Sequence, residues 1–162
     1  MTPSTPVAVD WEALRAAAVA AAAHAYCPYS GLRVGAAALV SGGLVSGGSG
    51  GGLVSGGLVS GGSDPGSGGR VVVGCNVENA SYGLALCAEC TMAGQLRLTG
   101  GGSFVAVACR SGSGDLLMPC GRCRQIIYEL GGPDCLLDTP HGPLPMRDVL
   151  PDAFGAAAPR EW

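Results

Sequence analysis

The stretches LCAECTMAG (residues 86–94) and MPCGRCRQ (residues 118–125) determine how this sequence is interpreted. Each contains a CxxC spacing, formed by Cys87 and Cys90 in the first and by Cys120 and Cys123 in the second. Two CxxC pairs are typical of a closed zinc site with four cysteine ligands. Glu89, however, lies inside the first pair, where a structural zinc would gain nothing from a carboxylate. The two stretches therefore indicate either a four-cysteine module or a three-cysteine metal site with a glutamate beside it.

The spacing of these residues matches the zinc site of deaminases. In that pattern one ligand stands two residues before a glutamate, and a later P-C-x-x-C supplies two more ligands. Cys87 and Glu89 fill the first part, and residues 119–123 fill the second. A fourth thiolate at Cys90 would add negative charge beside the carboxylate, which favours an open site. The pattern predicts that Zn²⁺ is bound by Cys87, Cys120 and Cys123 and that Glu89 moves protons without binding the metal.

The pattern of apolar residues predicts a layered α/β domain. Long apolar runs indicate strands at residues 33–40, 70–75, 102–110 and 135–138. Helices are expected from Asp10 to near Cys27, from Cys87 to about residue 98, from Cys120 to Gly131, and briefly within 146–154. Two helix N-termini would then meet at the metal, where their positive dipole ends stabilise thiolate charge.

Length and composition favour one domain spanning residues 1–162. A hydrophobic content of 48% against 13% charged residues is enough to form a core. Residues 41–69 contain LVSGG three times and are rich in glycine. We interpret this segment as a low-complexity hairpin-loop insertion, because long surface loops cost little closure entropy.

Charge and cysteine content limit the possible partners and location. The net charge is −3, and nine scattered arginines with no lysine do not form a surface for nucleic acid. The alanine run at 16–26 follows Asp10 and Glu12 where a signal peptide needs basic residues, and it is too short to span a membrane. We expect a cytoplasmic protein with reduced thiols and a small-molecule ligand.

Beyond the zinc residues, the sequence resembles the cytidine deaminases of the small homotetrameric class. The resemblance is carried by GCNVENASYGLALCAE (residues 74–89) and MPCGRCRQ, and it extends from CPYSGLRVGAAALV (27–40) to LPDAFG (150–155). It implies a three-layer α/β/α fold with a mixed five-stranded sheet. It also implies zinc-dependent hydrolytic deamination of cytidine and deoxycytidine to uridine and deoxyuridine in pyrimidine salvage, by a homotetramer with shared active sites.

The resemblance assigns roles to individual residues. It gives zinc binding to Cys87, Cys120 and Cys123 and proton transfer to Glu89. It places the ribose hydroxyls against Asn76 and Glu78, and the pyrimidine carbonyl against the backbone N–H of Ala88. Phe154 would reach the base bound by a neighbouring subunit. Apart from the resemblance, the place of Tyr82 in the ENASYG loop predicts either a residue that lines the pocket or a tyrosine that anchors the loop.

Two positions depart from the family pattern. Cys90 stands where the family commonly has an arginine that hydrogen-bonds the zinc thiolates, and Arg122 and Arg124 are near in the chain. Leu32 stands where an aromatic residue commonly stacks on the pyrimidine. Leucine still provides an apolar wall, but it loses an aromatic pair interaction of about 0.5–1.5 kcal/mol. Substrate affinity, rather than the type of reaction, is the property that these changes affect.

Two other functions fit parts of the sequence. Deaminases of blasticidin-type antibiotics share CAE and PCGRCRQ, although the NVENASYG segment favours a nucleoside. A non-catalytic zinc module would use all four CxxC cysteines. The other cysteines lie in or beside apolar stretches, which predicts packed thiols at Cys27, Cys75, Cys109 and Cys135.

Overall fold

The computed structural model describes residues 8–42 and 69–155 of the chain. Its helices are α1 (Trp11–Ala22), α2 (Ala88–Leu98), α3 (Gly121–Gly131) and α4 (Met146–Val149), with a 3₁₀ turn at Tyr82–Leu84. Its strands are β1 (Val34–Ser41), β2 (Arg70–Cys75), β3 (Ser103–Ser111), β4 (Leu136–Thr139) and β5 (Gly142–Pro145). Most of the predicted 41–69 insertion lies outside the described residues, so its role stays a prediction.

The five strands form one mixed sheet in the order β2-β1-β3-β4-β5. β3 and β4 are parallel, and the remaining neighbours are antiparallel. The antiparallel pairing of β1 with β2 brings Val40 opposite Arg70, so the two ends of the glycine-rich segment start from adjacent strands. The mixed five-stranded sheet that the resemblance implied is therefore confirmed.

Helices cover both faces of the sheet, which confirms the three-layer arrangement. On one face, α1 buries Leu14 and Ala18 against small residues of β1 and β3. On the other face, α2 and α3 bury a larger core that contains Met92, Leu96 and Ile127. Because successive side chains of a strand point to opposite faces, the continuous apolar runs of β1 and β3 supply both cores.

Two glycines in the strands allow the helices to approach the sheet closely. A Cβ atom on Gly35 of β1 would lie 1.9 Å from the carbonyl oxygen of Ala18 in α1. A Cβ atom on Gly74 of β2 would lie 2.3 Å from the backbone nitrogen of Met92 in α2. Glycine at position 74 therefore determines how close α2, and with it the Cys87 end of that helix, lies to the sheet.

Two local predictions were wrong. Helix α1 ends at Ala22 rather than near Cys27, because the chain leaves the helix and the Tyr26 N–H donates to the carbonyl of Asn76. The strand pattern also missed β5, whose sequence Gly-Pro-Leu-Pro contains two residues without a backbone donor. Proline is tolerated there because β5 lies at the edge of the sheet.

A buried ion-pair cluster joins the α1 layer to the sheet. Asp138 of β4 is 1% exposed, and its carboxylate accepts hydrogen bonds from Arg15 of α1 at 2.7 and 2.9 Å and from Arg110 of β3. Burial by itself would raise the pKa of Asp138, but the hydrogen bonds from the two arginines outweigh it and hold that pKa below its usual value. The carboxylate is therefore ionised at neutral pH.

Within residues 8–42 and 69–155, no helix has both the length and the apolar character that a membrane span requires.

Candidate active site

Three cysteine thiols meet where two helices begin. Cys87 is the N-cap of α2 and Cys120 the N-cap of α3, while Cys123 lies in the first turn of α3. Their sulfur atoms all lie within 4.8 Å of one another. The predicted convergence of two helix N-termini on these cysteines is confirmed. Cys90, although it is part of the described chain, does not belong to this group of thiols.

The geometry of the thiol cluster suits Zn²⁺. A Zn–S bond is about 2.3 Å long, so two thiolates on one tetrahedral zinc lie about 3.8 Å apart. Sulfur atoms within 4.8 Å of one another need little adjustment to reach that spacing. A closed structural zinc site has four protein ligands, whereas a catalytic zinc site has three and leaves the fourth position to water or substrate. The three thiols match the catalytic number. The arrangement therefore fits the open site better than the four-cysteine module.

The three thiols differ in the direction of their pKa shifts and in their exposure to solvent. Burial raises the pKa of Cys87, and burial followed by the negative charge of Glu89 raises the pKa of Cys123. Burial also acts to raise the pKa of Cys120, but hydrogen bonds from the Cys123 backbone N–H and from neighbouring groups lower it overall. Cys120 is exposed and Cys123 is buried. The cluster is therefore open to solvent on the Cys120 side.

Glu89 is buried beside the thiols. It lies in the first turn of α2, its side chain is 4% exposed, and its charge raises the pKa of both Cys87 and Cys123. One carboxylate oxygen, Oε1, accepts a hydrogen bond from the Cys109 thiol at 3.5 Å. A carboxylate that is this close to three thiols and so little hydrated can exchange protons with a group bound between them.

An arginine from α3 contacts the thiol cluster. Nη2 of Arg122 lies 3.6 Å from Sγ of Cys87 and 3.4 Å from the carbonyl oxygen of Ala85. Cys87 and Cys90 are both close enough to Arg122 to raise its pKa, with the Cys87 contact the larger cause. In the family pattern, an arginine at position 90 would donate a hydrogen bond to the zinc thiolates. Here Arg122 donates that hydrogen bond to Cys87 instead.

Arg124, the other arginine considered as a donor, does not reach the thiols. Its Nε donates to the carbonyl of Pro119 at 2.9 Å, and its Nη1 donates to the carbonyl of Val149. Arg124 therefore ties the loop before α3 to α4 and leaves the contact with Cys87 to Arg122.

A pocket lies between the 26–32 loop and the segment before α2. It has a volume of about 250 Å³, and its lining residues are Tyr29, Ser30, Glu78, Asn79, Tyr82 and Ala85. The rings of Tyr29 and Tyr82 meet edge to face with centroids 6.5 Å apart. Glu78 and Tyr82, two of the predicted substrate contacts, therefore line one cavity.

Glu78 is held by the loop opposite it. Its Oε2 accepts hydrogen bonds from the backbone N–H groups of Tyr29 at 2.9 Å and Ser30 at 3.2 Å, and its Oε1 accepts one from the Ser30 hydroxyl. The Ser30 hydroxyl is the main cause that lowers the pKa of Glu78. The carboxylate is therefore ionised, and it retains lone pairs for further donors such as sugar hydroxyls.

Asn76 is hydrogen-bonded to the start of β1. Its Oδ1 accepts from the N–H of Val34 at 2.8 Å, and its Nδ2 donates to the carbonyl of Leu32 at 3.0 Å. Each amide atom has capacity for a second hydrogen bond. The side chain therefore fixes the backbone beside Leu32, and its predicted contact with the substrate stays a prediction.

The remaining predicted contacts differ in exposure. Leu32 is 51% exposed, Tyr82 is 81% exposed and Phe154 is 71% exposed. The Phe154 carbonyl accepts a hydrogen bond from Gln125 of α3, which holds the end of the described chain against that helix. Ala88 is buried and occupies the first position of α2, where a backbone N–H has no acceptor within the helix.

Three functional features were not predicted from sequence. The Cys109 contact with Glu89, the Arg122 contact with Cys87 and the clamp of Ser30 on Glu78 all join residues distant along the chain. The sequence shows a cysteine at position 109 in the middle of an apolar strand, and this pattern predicts a packed thiol. Its burial is confirmed, but only the tertiary structure shows that it faces a carboxylate.

Comparison with known proteins agrees with this geometry. Residues 65–138 match the family model described as the cytidine and deoxycytidylate deaminase zinc-binding region. The chain is 50% identical over 147 residues to the cytidine deaminase of Mycobacterium tuberculosis, which covers 91% of each chain. It is 34% identical over 131 residues to the cytidine deaminase of Halalkalibacterium halodurans, covering 81% of this chain and 76% of that protein.

Solved structures give the same result. The crystal structure of the M. tuberculosis cytidine deaminase aligns with a TM-score of 0.74 at 49% identity, covering 91% of this chain and 99% of that one. That of the Mycobacterium leprae cytidine deaminase aligns with a TM-score of 0.71 at 47% identity, covering 89% and 99%. Together with the three-thiol cluster and the glutamate beside it, these similarities show that the chain belongs to the cytidine deaminase family.

Proposed function

We propose that this protein catalyses the hydrolytic deamination of cytidine and deoxycytidine, releasing ammonia and the corresponding uracil nucleosides. The observation that carries the proposal is the buried Glu89 carboxylate beside three converging thiols in a chain of this family. Cys87, Cys120 and Cys123 would hold Zn²⁺. When bound, the metal supplies a water acidic enough to act as a nucleophile near neutral pH.

Glu89 performs the proton transfers in this proposal. Its carboxylate accepts a proton from the attacking water and donates it to the ring nitrogen next to the amine-bearing carbon. The water oxygen bonds to that carbon, and the carboxylate then takes the remaining proton of the added hydroxyl and passes it to the amine. The C–N bond breaks, a C=O bond forms and the amine leaves as ammonia. Burial favours this role, because a carboxylate with few competing waters transfers its proton to the substrate rather than to solvent.

The predicted substrate contacts suit a nucleoside. The ionised carboxylate of Glu78 and the amide of Asn76 have free hydrogen-bonding capacity for the sugar hydroxyls. The N–H of Ala88 is free to donate to the pyrimidine carbonyl, and Leu32 provides an apolar surface for the ring. The Ala88 N–H and Leu32 would select the base, and Glu78 and Asn76 would bind the sugar.

A homotetramer with shared active sites would cover the apolar residues around the pocket. Several large side chains there are exposed, namely Tyr26, Tyr29, Leu32, Tyr82, Leu84, Leu86 and Phe154. Exposed apolar side chains grouped around one site are typical of a surface that binds another chain. We propose that second copies of this chain cover them, with Phe154 contacting a neighbouring site.

Location and metabolic role follow from the chemistry. Zinc binding requires reduced thiols, which is consistent with the cytoplasm. Conversion of a free nucleoside to its uracil form is consistent with pyrimidine salvage.

An absorbance assay tests the proposal directly. Purified holoenzyme is expected to convert cytidine to uridine, and a chelator that removes zinc should abolish turnover, with recovery when Zn²⁺ is returned. Blasticidin serves as the competing substrate in the same assay. Turnover of blasticidin without turnover of cytidine or deoxycytidine would overturn the proposed function in favour of an antibiotic deaminase. Zinc-bound protein that is inactive on all three substrates would instead support a non-catalytic module.

A further inference from the structure

We infer that Cys109 is a positioning residue for catalysis, whose thiol donates a hydrogen bond to Glu89 and fixes the orientation of the carboxylate. The inference rests on the proposed role of Glu89 in proton transfer. The observation behind it is the 3.5 Å contact between Sγ of Cys109 and Oε1 of Glu89.

The contact lies in a rigid part of the molecule. Cys109 is 1% exposed and belongs to β3, paired on one side with Ala36 of β1. Its carbonyl oxygen also accepts hydrogen bonds from the Leu117 N–H and from Arg110. Backbone bonds thus hold the thiol in place from within the sheet, independently of helix α2, which carries the carboxylate.

The thiol is in the state that can donate. Burial, and after it the negative charge of Glu89, raise the pKa of Cys109 well above its usual value. The S–H proton is therefore retained at neutral pH. Because a thiol is a weak donor, it can orient the carboxylate without holding its charge as strongly as an arginine would.

The geometry assigns different tasks to the two carboxylate oxygens. Oε1 accepts from Cys109 on the sheet side, which leaves Oε2 for the attacking water and the substrate. An aliphatic side chain at position 109 would leave Oε1 desolvated and without a donor, so the carboxylate would rotate towards other donors. A fixed orientation matters because proton transfer depends on hydrogen-bond geometry in the transition state.

Kinetics of position 109 variants test the inference. In the zinc-loaded enzyme, Cys109→Ala should lower kcat for cytidine by about 10- to 100-fold with KM little changed, as expected when a reacting group loses its orientation. Cys109→Ser keeps a donor and should recover most of the kcat. Equal kcat values for Cys109→Ala and the wild type would overturn the inference while leaving the proposed function intact. No turnover by the wild type would refute the proposed function itself.

Cys135→Ala is the matched control for loss of a buried thiol. Cys135 lies in the same core cluster, is 2% exposed, and its pKa is raised by burial to about 12 with no contribution from a carboxylate. The two alanine variants should lose similar stability in urea denaturation, whereas only the Cys109 variant should lose kcat. A parallel loss of kcat in both would overturn the inference in favour of a packing effect.

The infrared S–H stretching band gives a readout that is independent of activity. The difference spectrum between the wild-type holoenzyme and Cys109→Ala isolates the band of this thiol, which should lie at lowered frequency because the thiol donates to a carboxylate. Glu89→Ala removes the acceptor and should shift the band to higher frequency. A band that is unchanged in Glu89→Ala would overturn the inference.

Discussion

Position 89 combines two properties that a structural zinc module would not need. Its carboxylate is nearly excluded from solvent, and it lies close enough to two of the thiols to raise their pKa. A negative charge beside the thiols makes their deprotonation more costly, and a purely structural site would gain nothing from it in return. At the scale of single residues, the proposed function therefore depends on one carboxylate and on the groups that hold it.

Replacement of Glu89 separates catalysis from metal binding. We expect Glu89→Gln to keep one zinc per chain. Its kcat should fall by about 10²- to 10⁴-fold, because the amide cannot transfer protons. Metal content by atomic spectroscopy and turnover of cytidine measure the two effects. Loss of zinc from Glu89→Gln would contradict the assigned role, since the carboxylate would then be a ligand.

Cys90→Ser is the control for this prediction. Because Cys90 lies outside the thiol cluster, its replacement should leave zinc content unchanged and most of the activity in place. Release of zinc from Cys90→Ser would instead indicate the four-cysteine site.

At the scale of elements, two helix N-termini form the metal site. Cys87 and Cys120 occupy N-cap positions, where backbone N–H groups are unpaired and the helix dipole favours negative charge. The contact of Arg122 with Cys87 then links the first turn of α3 to the N-terminus of α2. The relative placement of the two helices therefore determines metal affinity.

The Arg122 contact predicts an effect on zinc affinity. Arg122→Gln removes a positive charge and a donor from the Cys87 sulfur, so zinc should bind about 10-fold or more weakly in a competition titration with a chelator. Arg97→Gln is the matched control, because Arg97 is an exposed arginine at the far end of α2. Equal affinities in the two variants would show that net charge, and not the thiolate contact, determines metal binding.

The packing of α2 on the sheet gives a second prediction at this scale. Gly74→Ala places a methyl group within 2.3–2.5 Å of atoms of Met92, Ala88 and Thr91, so α2 must move outward. We expect a loss of about 1–3 kcal/mol in the free energy of unfolding, together with weaker zinc binding, because Cys87 moves with the helix.

A second glycine provides the control for the packing effect. Gly94, within α2, has nothing within 4 Å of an added Cβ. Gly94→Ala should therefore raise stability by about 0.5–1 kcal/mol through helix propensity and leave zinc affinity unchanged. Chemical denaturation and zinc titration of both variants measure these changes. Unchanged stability and zinc affinity in Gly74→Ala would contradict the close contact of α2 with the sheet.

For the whole molecule, the buried cluster around Asp138 connects the α1 layer to the sheet through charged groups. Its carboxylate joins α1, β3 and β4 through Arg15 and Arg110. Loss of one partner of a buried ion pair leaves the other charge without compensation. Asp138→Asn should therefore lower the free energy of unfolding by about 3–5 kcal/mol at neutral pH.

The pH dependence of this effect follows from the lowered pKa of Asp138. A carboxyl whose folded-state pKa is below its unfolded value of about 3.9 stabilises the fold above that pH, and this contribution is lost as pH falls through the folded pKa. The stability difference between wild type and Asp138→Asn should therefore be constant near neutrality and shrink below about pH 4, as measured by urea denaturation at several pH values. Asp134→Asn, which breaks the exposed pair with Arg147, should have little effect at any pH. A difference that persists at acid pH would contradict the ion-pair explanation.

Sequence patterns predicted most elements because each carries a local signal. The apolar runs at 33–40, 70–75 and 102–110 and the cysteines at the helix starts are visible without knowledge of the fold. The end of α1 and the strand β5 had weaker signals, since the first is set by pairing of Tyr26 with the segment around Val77 and the second contains two prolines. The first miss therefore reflects pairing with a distant segment, and the second reflects an unusual strand composition.

By itself, the sequence determined which three cysteines could hold the metal, which glutamate accompanies them and which family the chain resembles. These follow from residue types at fixed spacings, because CxE and PCxxC each lie within a single helical turn. The tertiary structure decided which groups support them, namely Arg122 at Cys87, Cys109 at Glu89 and Ser30 at Glu78. Each of these contacts joins segments more than fifteen residues apart. The spacing of residues along the chain does not indicate such pairs, because they meet only when the sheet and the helices pack together.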